Sequence, residues 1–165
     1  MDGTDQFRLG VLGVLGVVLL VSSPLVGVVD LTPEARGSGG LGDGTASASV
    51  TTLDTDRFRI DRGRFGTGVA YLRLPPVTVT ADSVTGQPRL VYRVEVPALE
   101  FERTETRLLR ETGRVRIGMS ARALTRERVN QQSYRATVTV RVQSFEVDRT
   151  IYRRNLTVPV TAGAD

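Results

Sequence analysis

The chain contains no lysine, histidine, cysteine or tryptophan, so all 22 of its basic residues are arginine. Each absence removes a class of chemistry. Without cysteine there is no disulfide, no thiolate nucleophile and no thiolate-held metal centre. Without histidine the commonest general base near neutral pH is missing, together with the imidazole ligands of catalytic zinc and the middle member of a serine triad. Without lysine there is no Schiff base, no phosphate-loop lysine and no Ser-Lys dyad. Carboxylates, hydroxyls and guanidiniums are what remain, and they are poorly arranged for catalysis. Glu95, Glu100, Glu102 and Glu105 fall mostly on outward strand positions, with no tryptophan to platform a sugar ring. The run from Gly118 to Arg122 lacks the closing glycine of a nucleophile elbow. Asp54, Asp56 and Asp61 lack the spaced oxygens and glycine of a calcium loop. The sequence therefore reads as non-enzymatic, with no cofactor and no metal expected.

What is present begins with an apolar run. Leu9 to Val29 is 21 residues without a charge, bounded by Arg8 and Asp30. As a helix it would be about 31 Å long, close to the hydrocarbon thickness of a bilayer. It is expected to be a transmembrane helix serving as an uncleaved signal anchor behind a short head, residues 1–8. The alternatives are a cleaved signal peptide and a pilin-like subunit cut near Gly10. Small residues pair badly for signal cleavage: Val21 with Ser23 would leave Pro24 directly after the cut, and Leu25 with Gly27 puts a bulky side chain at −3. Arg8 and Arg36 leave the positive-inside count almost level, and the brevity of the head favours a carboxyl-terminal domain outside the cytoplasm. The implied first partner is the lipid bilayer.

Residues 30–44 read as a flexible linker, with five glycines between residues 37 and 44. Gly37, Gly39 and Gly42 match a dinucleotide fingerprint by spacing alone. The strand before and the helix after that such a site needs are both missing from the pattern.

From residue 45 to 165 the dominant signal is alternation of apolar and polar residues, the period of strands with one buried face. Tyr134, Ala136, Val138, Val140 and Val142 give the clearest case. Shorter runs centre on Ala48, Leu72, Val79, Tyr92, Ile117 and Val158. Glu100–Arg110 fits a strand followed by a loop better than a short helix, and Ser120–Gln132 reads as a crossing loop with one helical turn. Short strands without long amphipathic helices predict an all-β, antiparallel sandwich of about seven to eight strands. Ser133-Tyr134-Arg135-Ala136, leading into a valine-rich strand, resembles the tyrosine corner of immunoglobulin-like sandwiches. The paired cysteines and core tryptophan of antibody domains are absent.

The positive charge is concentrated. Residues 103–128 hold eight arginines against three acids, an excess of five that equals the whole excess beyond Val29. Arg114, Arg116, Arg122, Arg126 and Arg128 are the candidate anion-binding residues, suited to planar, bidentate contact with an anionic envelope polymer or an acidic protein partner. Outward arginines also solvate and blunt a sheet, which is the competing reading. Nucleic acid is an unlikely partner, because no aromatic row interleaves with the arginines. Asn155-Leu156-Thr157 is an acceptor tripeptide that makes Asn155 a candidate glycosylation site. The architecture of anchor, glycine tether and lysine-free β-domain resembles single-pass, membrane-anchored surface proteins of halophilic archaea with immunoglobulin-like domains. That resemblance implies a structural or binding role in the cell envelope and carries no site residues.

Overall fold

The computed structural model describes residues 42–63 and 67–162. The head at 1–8, the expected membrane helix at 9–29 and the linker as far as residue 41 lie outside the described residues. Among those described, no helix is long and apolar enough to cross a membrane.

The described chain is all-β. Its strands are β1 Ala46–Leu53, β2 Arg59–Arg62, β3 Val69–Arg73, β4 Val77–Val84, β5 Arg89–Val96, β6 Phe101–Leu108, β7 Gly113–Ile117, β8 Arg122–Thr125, β9 Ser133–Gln143 and β10 Asp148–Thr161. Three single 3-10 turns, at 55–57, 97–99 and 126–128, are the only helical elements among the described residues. Strands β1, β4 and β7 form a three-stranded sheet, and the other seven form a sheet in the order β6-β5-β9-β10-β2-β3-β8.

The alternation explains the core. In β9, Tyr134, Ala136, Val138, Val140 and Val142 are all buried, while Arg135 between the first two is exposed and Thr137, Thr139 and Arg141 are half-buried. Leu90, Tyr92, Val94 and Val96 of β5 join them from the neighbouring strand, and Val77, Val79 and Ala81 of β4 come from the other sheet. All belong to one contiguous apolar cluster, so the two sheets close a single core.

Three features differ from the sequence expectation. The first is strand number. The expected seven to eight correspond to β1, β3–β7, β9 and β10; β2 and β8 are additional. Each has four residues with one buried side chain, Ile60 or Leu124, which is too short a run for alternation to register. The expected crossing loop at 120–132 accordingly holds β8 as well as its one helical turn. The second is strand direction. The pairing is antiparallel everywhere except between β10 and β2, where Val160 and Thr161 run parallel to Ile60 and Asp61. β10 has 14 residues and outruns β9, so its last residues are free to take a new neighbour. The third is the end of the linker. Gly42 accepts a hydrogen bond from the Phe145 amide, Asp43 accepts one from the Gln87 amide, and the Gly44 amide donates to the Glu146 carboxylate. Gly44 is required there by space as well as by its φ of 86°, because a Cβ would lie 1.9 Å from the Thr85 carbonyl oxygen.

Candidate functional site

The sequence-predicted arginines divide between the two sheets. Arg114 and Arg116 share the outer face of β7, opposite Thr80 and Thr78 of β4. Arg122 opens β8 opposite Leu72, and Arg126 and Arg128 occupy the 3-10 turn that follows. Arg128 is committed locally: its Nη2 donates to the Leu99 carbonyl at 2.6 Å and to the Glu100 carboxylate at 3.1 Å. Glu100 itself occupies a left-handed backbone position, φ 48°, that ends the 97–99 turn. The carbonyl of Arg116 accepts from Arg107 at 2.8 Å. Asn155 lies exposed in the middle of β10, and its Oδ1 accepts from the Thr137 hydroxyl at 3.0 Å.

Glu95 and Glu102 face each other across β5 and β6, and Arg93 bridges them. Among the described residues no group of three or more acids could hold a metal ion.

A different arginine cluster surrounds a definite hollow. Arg59 begins β2 directly opposite Arg73 at the end of β3, so the pairing register places two like charges face to face. Asp61, two residues along β2 and therefore on the same face, resolves the repulsion. Its Oδ1 accepts from Arg59 Nε and its Oδ2 from Arg73 Nε, both at 2.8 Å. Thr161 at the end of β10 adds a third hydrogen bond, 3.0 Å to Oδ1. Partial burial pushes the Asp61 carboxyl up, but the hydrogen bonds from Arg73, Arg59 and Thr161 prevail and hold it below its ordinary value of 3.8. The Arg73 guanidinium also lies over the Tyr71 ring, 5.8 Å from its centre.

Beside this network is a hollow of about 330 Å³ lined by Arg57, Arg59, Arg73, Leu74, Pro75, Pro76 and Ala121. Its floor is fixed from the core. The Tyr92 hydroxyl donates to the Pro75 carbonyl at 2.8 Å, and Gly118 backs onto Pro76 so closely that an added Cβ would lie 3.1 Å from the proline ring. Asp54, Asp56 and Asp61 draw attention in the sequence as calcium ligands, yet Arg57 and Arg59 between them are the residues that line the hollow. The available signal was the alternation of Arg57, Arg59 and Asp61 around buried Phe58 and Ile60.

At the start of β9, the Tyr134 side chain bonds back to the segment that precedes the strand. Its hydroxyl donates to the Arg128 carbonyl at 3.2 Å and accepts from the Gln131 amide at 3.1 Å.

Compared with known proteins, the chain matches no family model and no curated protein sequence.

Proposed function

We propose that the protein is a membrane-tethered, extracytoplasmic β-sandwich module of immunoglobulin-like build, with a structural or binding role in the cell envelope and no catalytic activity. The observation that carries the tether is the uncharged run Leu9–Val29, followed by a glycine-rich stretch that leads straight into strands. The immunoglobulin-like build is supported by strand order. An immunoglobulin sandwich sets strands A, B and E against C, F and G. Here β1-β4-β7 faces the run β6-β5-β9-β10, which corresponds to A-B-E against C′-C-F-G, with β2, β3 and β8 as an added wing. Tyr134 then stands at the start of strand F and hydrogen-bonds upstream, as a tyrosine corner does, and Ala136 takes the position of the usual second cysteine. The absence of a histidine, cysteine or lysine nucleophile or base, together with acids already paired to arginine, favours binding over chemistry. The arginine excess favours an anionic partner, either an envelope polymer or an acidic protein.

Membrane fractionation combined with protease shaving of intact cells tests this reading. The chain is expected to stay in the pellet through an alkaline carbonate wash and to lose its β-domain to external protease. Full-length chain in a detergent-free aqueous extract rules the tether out, and protection from protease in intact cells rules out the orientation.

A further inference from the structure

We propose that the hollow between Arg57, Arg59 and Arg73 is a binding site for an apolar monocarboxylate, a small molecule with one carboxylate on a flat hydrocarbon body. The assignment concerns residues of the described domain and depends neither on the tether nor on the arginines of residues 103–128.

Charge fixes the head group. Asp61 neutralises only one of the two guanidiniums it holds, so the Arg59–Asp61–Arg73 unit keeps one positive charge. Arg57 adds another, offset by Asp54 at 3.3 Å. A single negative charge balances the site, whereas a dianion would exceed it. Geometry makes the donors available. Asp61 takes Nε of both arginines, so these two bonds leave unused the outer edge of each guanidinium, between its two terminal amino groups. That is the edge of the fork suited to a carboxylate. The donors are also held in advance: Asp61 grips both, Thr161 anchors Asp61, and the Tyr71 ring lies under Arg73. Less side-chain freedom is therefore lost when a ligand arrives.

The remaining lining decides the body. Leu74, Pro75, Pro76 and Ala121 contribute no side-chain hydroxyl or amide, so a sugar or other polyhydroxylated ligand would leave its hydroxyl groups unmatched. An aromatic ring meets proline and leucine surface instead. The hollow is open to solvent on one side, and its volume of about 330 Å³, at the lower end of the range typical of small-molecule sites, has room for one ring bearing a carboxylate. The floor does not need to move, because Tyr92 and Gly118 hold the two prolines from behind.

The test is a titration of the full-length chain in neutral detergent, at low salt and pH 7, with benzoate as the probe. It is followed by calorimetry and by the side-chain Nε–H resonances of Arg59 and Arg73. Saturable binding that shifts those two resonances and the Ala121 amide is expected. Arg59→Gln and Arg73→Gln are each expected to weaken it tenfold or more. Ala121→Phe, which fills the hollow and leaves every arginine in place, is expected to do the same, while Arg126→Gln changes it less than twofold. Benzyl alcohol, the same ring without the charge, gives no saturable shift, and sulfate binds at least tenfold more weakly than benzoate. Non-saturating shifts, equal binding of benzyl alcohol or sulfate, or undiminished affinity in the arginine variants each overturn the proposal. Any of these outcomes leaves the membrane reading intact, since that reading rests on fractionation.

Discussion

Tyr92 lies at the centre of the core on β5, and its hydroxyl donates to the Pro75 carbonyl 2.8 Å away, tying the most buried strand to the bend between β3 and β4. Burial pushes the phenol well above its ordinary value, with the neighbouring Tyr152 adding to the effect, so the group is a proton donor across the whole working range of pH. Both Tyr92 and Pro75 are buried. Tyr92→Phe keeps the ring and orphans the carbonyl, and the expected loss is about 1–3 kcal/mol. Urea unfolding followed by circular dichroism checks it: the midpoint should fall with an unchanged slope. An unmoved midpoint would mean that the carbonyl finds another donor.

Tyr134 gives a second, independent case. Its hydroxyl both donates to Arg128 and accepts from Gln131, so it closes the turn that delivers the chain into β9. Tyr134→Phe is expected to cost about 1–3 kcal/mol, whereas the same change at exposed Tyr71 should stay within about 0.5 kcal/mol. Thermal melts of the two variants, run side by side, give the comparison.

Val138 is fully buried in the centre of β9, with Val94 of β5 on one side and Arg154 of β10 on the other. Val138→Asp puts a carboxylate at a fully buried position in the core, which costs several kcal/mol or more, and should unfold the domain at room temperature. Thr139, one residue on, faces outward between Arg93 and Arg153, so Thr139→Asp should leave the fold intact. Near-ultraviolet circular dichroism distinguishes the two. The reverse ranking would mean that the strand faces are inverted.

How far the sequence could be read follows from the same residues. The phase of β9 was legible because five apolar residues repeat at every second position over nine residues. Tyr134 was legible as the first apolar residue of that repeat. β2 and β8 were not, since one buried residue in four carries no period. The arginine pocket was hidden for a different reason. Arg59 and Arg73 are 14 positions apart and become neighbours only through the β2–β3 register. The dense arginines of residues 103–128 drew attention by local count, yet they divide between two sheets, and Arg128 spends its guanidinium on Leu99 and Glu100.

Asp61 predicts a pH dependence with a definite sign. Its carboxyl titrates below the ordinary 3.8 in the folded chain, so the folded state binds its proton less readily than the unfolded state does. The stabilisation is fully present above 3.8 and is lost as pH falls through the lower, folded value. At pH 7 the protein should therefore melt higher than Asp61→Asn, and the gap should close as the pH is taken down to 3 and below. A gap that stays constant over that range would show that charge on Asp61 contributes nothing to the strap between β2, β3 and β10.

Arg107 and Arg149 close the two open sides of the three-stranded sheet. β1 and β7 each have β4 on one side only, so each offers a row of unpaired backbone groups on the other. Arg107 reaches from β6 to the Arg116 carbonyl of β7 at 2.8 Å, and Arg149 reaches from β10 to the Ala46 carbonyl of β1 at 3.2 Å. In both cases a cation from the larger sheet occupies a site where another chain's amide would otherwise dock. Replacing both with glutamine should change the unfolding free energy by about 1 kcal/mol or less, because exposed charged contacts contribute little. Association should respond more strongly. The double variant is expected to show a concentration-dependent rise in mass by light scattering under conditions where the parent chain does not. Arg154→Gln supplies the control, since Arg154 is also exposed but reaches only the Thr55 hydroxyl, at 3.4 Å, and covers no edge carbonyl. If Arg154→Gln associates as readily as either edge variant, lost charge alone is responsible and the edges are protected by some other means.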